Sequence, residues 1–219
     1  MERDYSLTLI GGFYDFTSDL TMKDTAYTSL ALGAHTDTTY FTDPVGLQMF
    51  HLLSHTEGNG GASLLVDGFH AAKRLAIEDP HSYQVLLETP IAWHASGNEG
   101  ITITPAQRFP VLICMSRSKT LLQVRWNNDD RGLVPLFDTE HRRITGSRWY
   151  AAARKFDEIL KREEMQYWAQ LEPGRPLIFD NWRVMHGRSA FTGKRRICGG
   201  YSKLFLLISR AKTDSCSQS

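Results

Sequence analysis

Apolar and polar positions alternate in short runs through the middle of the chain, punctuated by Gly, Pro and Asn. On that pattern residues 46–53, 62–66, 110–114 and 121–126 are predicted β-strands. Two stretches shift to a helical period. Residues 67–78 form the weaker one. In 147–171, Trp149, Ala152, Ala153, Phe156, Ile159, Leu160 and Tyr167 fall at near-helical spacing behind a Gly-Ser start. Glu172-Pro173-Gly174-Arg175-Pro176 then reads as a turn, Leu177-Ile178-Phe179 as an apolar strand, and 195–201 as a last strand. The expected architecture is mainly β with helical insertions, without internal repeats or a linker.

Composition narrows the class. The chain has 219 residues, room for one domain. Its 42% hydrophobic and 22% charged content suits a soluble globular protein and excludes a disordered one. With 25 Lys+Arg against 24 Asp+Glu the net charge is +1, so no nucleic-acid or membrane partner is expected. The longest apolar run, 204–208, falls far short of the ~20 residues of a spanning helix. Neither a signal-peptide core nor an Arg/Ser-rich presequence follows Met1, so no targeting signal is expected. Cys114, Cys198 and Cys216 are widely spaced with no CxxC, which fits a reducing compartment and excludes a disulfide scaffold.

Candidate chemistry lies toward the two ends. In Ala34-His35-Thr36-Asp37, an extended backbone would project His35 and Asp37 to the same side, where an imidazole and a carboxylate can chelate one cation. His186 follows in Val184-Met185-His186-Gly187-Arg188, just beyond the predicted strand 177–179. Two histidines and one carboxylate are the facial triad of non-haem Fe(II) oxygenases, which leaves open positions on the metal. Nine residues after His186 comes Arg195, whose guanidinium could hold the far carboxylate of a dicarboxylic acid by paired hydrogen bonds. A His-x-Asp tripeptide often arises by chance; the ordered combination is more specific. His51, His55, His70, His81 and His141 lack such neighbours and read as surface or structural, and His94 has no assigned role.

Alternation also describes the walls of such a site. From Tyr27 to His35 one face would carry Tyr27, Ser29, Ala31, Gly33 and His35, small residues between an aromatic ring and a ligand. On the last strand Arg195, Ile197, Gly199 and Tyr201 share a side. Packing alone produces such patterns too.

Several longer motifs resemble the trimethyllysine dioxygenase family, within the γ-butyrobetaine dioxygenase and TauD-like Fe(II)/2-oxoglutarate oxygenases. They are Gly12-Phe13-Tyr14-Asp15-Phe16-Thr17-Ser18-Asp19, Asp24-Thr25-Ala26-Tyr27-Thr28, His35-Thr36-Asp37-Thr38-Thr39-Tyr40, Leu64-Leu65-Val66-Asp67-Gly68-Phe69, Phe179-Asp180-Asn181-Trp182-Arg183-Val184-Met185-His186-Gly187-Arg188 and Phe191-Thr192-Gly193. The resemblance implies a double-stranded β-helix (jelly-roll) with its catalytic domain over 11–201. It further implies Fe(II), 2-oxoglutarate as cosubstrate, O2, and 3-hydroxylation of N6,N6,N6-trimethyllysine, the first step of carnitine biosynthesis. By position, His35, Asp37 and His186 would be the iron ligands and catalytic centre. Arg195, assisted by Arg188, would bind 2-oxoglutarate. Tyr14, Tyr27 and Tyr201 would form an aromatic cage for the quaternary ammonium, and Asp24 and Asn127 would contact the substrate's polar end. Ascorbate is the expected reductant, a homodimer the expected assembly, and the cytoplasm or mitochondrial matrix the expected compartment.

Residues 1–10 and 202–219 do not resemble the family, and Ile10 stands where a further cage tyrosine is expected. The jelly-roll is therefore expected to be incomplete at both ends. Two alternatives remain open on the sequence: a related oxygenase acting on another amino acid or betaine, and a truncated, non-catalytic fragment.

Overall fold

The alternating segments pair into two four-stranded antiparallel sheets that enclose the site between them. The computed structural model describes residues 12–17, 28–96, 102–115, 120–134 and 146–203. Its elements are β1 (Phe13–Thr17), β2 (Leu32–His35), β3 (Leu47–Thr56), β4 (Ser63–Asp67), α1 (Gly68–Glu78), α2 (Pro80–Glu88), β5 (Ala95–Ser96), β6 (Thr102–Ile103), β7 (Leu112–Cys114), β8 (Leu121–Val124), α3 (Gly146–Leu160), β9 (Gln166–Ala169), β10 (Leu177–Asp180), β11 (Val184–Arg188) and β12 (Lys194–Ser202). One sheet runs β1-β12-β3-β10 and the other β2-β11-β4-β9; β5-β6 and β7-β8 form two small ribbons.

Register decides what faces the interior. β12 pairs with β3 along its whole length, Lys194 opposite Thr56 and Ser202 opposite Leu47, with one irregularity between Arg196 and Ile197. In β11, Met185 is fully buried on the helical side while His186 points between the sheets against the Phe50 and Phe179 rings, at 5.1 and 5.2 Å. The helices cover the other face of β4 and β11. Val66, Ala71, Leu75, Leu86, Trp149, Phe156 and Met185 form one continuous core there. A smaller cluster of Leu52, Leu171 and Ile197, with Tyr14, Phe16 and Phe50 against it, lies between the sheets.

Three predicted elements need correction. The long helix over 147–171 stops at Leu160, whose carbonyl accepts a hydrogen bond from Gln166 Nε2 at 3.1 Å. The chain continues through a 3-10 turn, Glu163–Met165, into β9, which satisfies the free backbone edge of β4. Tyr167, counted on the helical face, lies on that edge strand and is exposed. The strand over 121–126 ends at Val124, because Arg125 and Trp126 turn their polar groups to residues 36–42. His186 does not trail the strand 177–179 but sits at the centre of a strand of its own, β11, after the turn at 181–183.

Helix α2 is not among the predicted elements, although Asp79-Pro80 announces it. Asp79 caps it by accepting from the Ser82 N–H at 2.9 Å, and Pro80 occupies the first turn. Asp67 caps α1 in the same way, accepting from the Phe69 and His70 N–H groups at 3.0 and 3.1 Å. Within described residues 28–35 only β2 is a strand; residues 28–30 bend, so the extended face expected over 27–35 is confined to its end.

Candidate metal centre and its surroundings

β2 delivers His35 at its last position, and β11, paired to it, places His186 directly opposite. Asp37 comes two residues later on a turn. One ligand atom from each of these three residues lies within 4.8 Å of the others. Asp37 Oδ1 is 3.4 Å from His35 Nε2 and 3.7 Å from His186 Nε2. The imidazole rings stand 4.3 Å apart. The His35 Nδ1–H donates to the Gly33 carbonyl at 2.9 Å, which leaves Nε2 as the donor aimed at the shared point.

The protonation states suit a cation. Burial works to raise the Asp37 carboxyl, but the two imidazoles outweigh it and hold that carboxyl well below the ordinary range. Burial, then the neighbouring His35, pushes His186 down to about 3, so this imidazole is neutral. Burial also works against a charged His35, but the contact with Asp37 prevails and raises it. An ionised carboxylate and a neutral imidazole are already in ligand form, and a divalent metal would displace any proton from His35 Nε2 on binding. The N,N,O donor set on one face fits a non-haem iron.

A second layer holds this arrangement. The other carboxylate oxygen of Asp37 accepts from Gln48 Nε2 at 2.6 Å and from the Tyr201 hydroxyl at 3.0 Å. Asn181 brackets the same residue: its Oδ1 accepts from the Asp37 N–H at 2.8 Å, and its Nδ2 donates to the Asp37 carbonyl at 3.1 Å. Thr38, next in the turn, has the left-handed φ of 57°, a strained conformation for a branched residue. Fully buried Arg125 clamps the rest of the turn, Nη1 donating to the Thr39 and Phe41 carbonyls at 2.7 and 2.8 Å. Burial pushes that guanidinium down to about 10.

Asp130 completes the brace, accepting from the Thr39 hydroxyl at 2.6 Å and from Asn127 Nδ2 at 3.1 Å, both on Oδ2. Burial, with the charge of Asp37 adding to it, lifts this carboxyl to about 6. Sequence reasoning misses Gln48, Asn181, Arg125 and Asp130. Gln48 carries a signal, as a polar residue at an inward position of a predicted strand.

The remaining candidates fall on two other walls. The structure places Arg195, Ile197, Gly199 and Tyr201 on the inner side of β12. Arg195 and Arg188 are both buried, and their guanidinium carbons lie 5.6 and 4.7 Å from the centre of the Phe191 ring. Burial, then the charge of Arg188, lowers Arg195 to about 10. Gly61, at φ 71°, gives Arg195 its room, since a Cβ there would lie 3.2 Å from Nε. Arg188 also braces the backbone: Nη2 donates to the Thr28 and Leu30 carbonyls at 2.6 and 3.1 Å.

Tyr14 and Tyr201 stand 5.4 Å apart at 48°. Tyr14 crosses over Gly199, where any Cβ would lie 2.3 Å from the phenol oxygen. Asn127 and His35 line one cleft of about 270 Å3 with Trp126, Asp129 and Lys161. Asn127 is oriented within its own loop, its Oδ1 accepting from the Asp129 N–H at 3.0 Å. Tyr27, Asp24 and Ile10 lie outside the described residues, as does His141. Of the histidines read as structural, His51 accepts from the Gly174 N–H and His55 bonds to the Thr192 carbonyl.

Comparison with known proteins agrees with this geometry. The chain is 53% identical over 236 residues to a trimethyllysine dioxygenase of Neurospora crassa, covering 93% of this chain and 49% of that protein. It is 43% identical over 197 residues to the human protein named trimethyllysine dioxygenase, mitochondrial, covering 89% and 45%. The chain thus spans about half the length of these curated relatives. Among solved structures, an asparagine oxygenase superposes with a TM-score of 0.64 at 16% identity, covering 87% of this chain and 56% of that one. A taurine dioxygenase from Burkholderia xenovorans gives 0.62 at 13%, covering 87% and 63%. Both likenesses concern the fold, the jelly-roll. Residues 3–201 match the family described as taurine catabolism dioxygenase TauD, TfdA, and the chain belongs to that family.

Proposed function

We propose that the chain carries the catalytic core, over residues 11–201, of an Fe(II)- and 2-oxoglutarate-dependent dioxygenase. Its substrate is N6,N6,N6-trimethyllysine, hydroxylated at C3 as the first step of carnitine biosynthesis. The observation that carries this reading is the convergence of His35 Nε2, Asp37 Oδ1 and His186 Nε2 on one point. The identity to the Neurospora crassa enzyme supports the choice of substrate. The human relative is named mitochondrial, which favours the mitochondrion over the cytoplasm. No helix among the described residues is long and apolar enough to cross a membrane. The partners of this reading are small molecules, with ascorbate as reductant, and the assembly is a homodimer.

Each group has a task. His35, Asp37 and His186 hold the metal, and Gln48, Asn181 and Tyr201 keep the Asp37 carboxylate aimed at it. Bound iron, with 2-oxoglutarate and O2, supplies the oxidising power to place one oxygen on the substrate while the cosubstrate becomes succinate and CO2. Arg195 fixes the far carboxylate of 2-oxoglutarate, and Arg188 adds positive charge beside it. A trimethylammonium has no N–H to donate, so ring faces are its natural partners. Tyr14 and Tyr201 present two, worth about 0.5–2 kcal/mol each. Tyr27 is assigned the third, and Asp24 and Asn127 the polar end.

The test is anaerobic reconstitution with Fe(II) and 2-oxoglutarate, followed by oxygen, trimethyllysine and ascorbate, with His186→Ala as the blank. Succinate matched by a product one oxygen heavier than trimethyllysine is the expected result. Succinate with γ-butyrobetaine or lysine, but not with trimethyllysine, would reassign the substrate. No succinate from folded, iron-loaded protein would overturn the enzymatic reading.

A further inference from the structure

The residues that grip the substrate's polar end and those that hold the metal come from different parts of the chain. Something must fix their separation, because C3 is one bond from the carbon that bears the amino and carboxyl groups. Arg125 and Trp126 already join the two segments through Thr36, Thr39 and Phe41, and among the described residues Asp130 carries that tie on to the Asn127 amide itself. One of its oxygens accepts from the Thr39 hydroxyl, two residues beyond Asp37, and from the Asn127 amide. The far end of that amide is taken by the Asp129 N–H, so the plane of the Asn127 side chain is set from both sides. Asp130 is itself anchored. Its carbonyl accepts from the His94 N–H at 2.8 Å, and neighbouring Arg131 bridges to Trp93, which is buried in the main core.

We propose that Asp130 is a positioning residue: its carboxylate ties the Asn127 amide to the turn that carries Asp37, so the substrate's polar end is held at a set distance from the metal ligands. This rests on the assignment of Asn127 to the substrate. A neutral pair of donors sharing one half-buried carboxylate oxygen is a strong restraint on both, since a charged acceptor roughly doubles the strength of each hydrogen bond. Loss of Asp130 frees the Asn127 amide and the Thr39 hydroxyl, while Asp37 keeps its own bonds to Asn181, Gln48 and Tyr201, so the effect expected is on the substrate's polar end.

The experiment is a double-mutant cycle on the holoenzyme with Asp130→Ala and Asn127→Ala, with Asp130→Asn as the variant that keeps an acceptor oxygen. Asp130→Ala raises the KM for trimethyllysine about tenfold and lowers hydroxylated product per succinate, while the KM for 2-oxoglutarate moves less than twofold. In the Asn127→Ala background the same substitution adds less than twofold. Asp130→Asn gives an intermediate KM. Side-chain amide NMR reads the link without turnover: the Asn127 NH2 pair shifts in Asp130→Ala, with melting temperature and the remaining spectrum retained. Independent effects in the cycle, an unchanged KM, or an unmoved Asn127 signal would each overturn the proposal. If the parent chain turns over no trimethyllysine, the functional reading fails on that result alone, and the amide spectra decide the Asp130–Asn127 link by themselves.

Discussion

The two sheets that enclose the site are built to different standards. The sheet of β2, β11, β4 and β9 brings His35 and His186, and behind it stands the continuous helical core of Trp149, Phe156 and Met185. The sheet of β1, β12, β3 and β10 brings Gln48, Tyr14, Tyr201 and Arg195 over a cluster of three buried apolar residues. On that second sheet Phe13 and Ile178 are 86% and 60% exposed. Asp37 belongs to neither sheet. Its backbone is held by Asn181 and its carboxylate reaches across to Gln48 and Tyr201. The two candidate histidine ligands thus come from the well-supported side, while Tyr14, Tyr201 and Arg195 sit on the lightly supported one, with Arg188 on β11 and Asn127 beyond β8. Metal affinity and substrate affinity should respond to different mutations.

The largest effect sharpens this contrast. Phe156→Ala, at a fully buried position of the helical core, is expected to cost about 3–5 kcal/mol, and Ile197→Ala in the small cluster about 2 kcal/mol, read by urea unfolding. Equal losses would mean the two sheets share one core. Next in size is Arg195→Lys. It replaces a planar fork by a point charge, and the KM for 2-oxoglutarate should rise about 10–100-fold, equivalent to about 1.5–3 kcal/mol. Iron retained per chain after desalting should not change. Loss of iron in that variant would show that Arg195 also sets the metal site.

Legibility in the sequence divides along the same line. Short-range geometry is readable: His35 and Asp37 do converge, although Asp37 stands on the turn after β2 and not on an extended segment, and strand parity puts Arg195 and Tyr201 on one face. Asp67 and Glu78 bound α1 to within a residue. The braces are not readable, because they join residues far apart in the chain. Arg125 reaches Thr39 across 86 positions and Asn181 reaches Asp37 across 144, and no local pattern encodes such contacts. The helix predicted over 147–171 is too long for a related reason. Its periodicity runs through Tyr167, but the pairing need of β4, set elsewhere in the fold, takes those residues into a strand.

A smaller effect tests the cage on the lightly supported sheet. Tyr14→Leu removes one ring face and should raise the KM for trimethyllysine about 2–30-fold, equivalent to about 0.5–2 kcal/mol, with the 2-oxoglutarate KM unchanged. Tyr14→Phe keeps the ring and should stay within twofold of the parent. Equal losses in both variants would assign the role to the Tyr14 hydroxyl, which donates to the Met49 carbonyl at 3.4 Å.

The smallest effect lies on the solvent side of the helical layer. Glu78, at the end of α1, accepts from Arg162 beyond α3 through both carboxylate oxygens, at 2.8 and 2.7 Å, and from Arg74 at 2.5 Å. The hydrogen bond from Arg162 leads in lowering this carboxyl from 4.5 to about 2. A folded-state value below the unfolded one means that the unfolded chain binds the proton first as pH falls. The stabilisation is therefore complete above about pH 4.5 and fades toward pH 2. Because the group is exposed, water and salt screen the pair, and Glu78→Gln should lower the melting temperature only slightly at pH 7. The gap between parent and variant should narrow in melts taken from pH 5 to pH 3 and shrink with added salt. A gap that stays constant with pH would mean that the amide loses geometry rather than charge, and that the ion pair does not tie α1 to the end of α3.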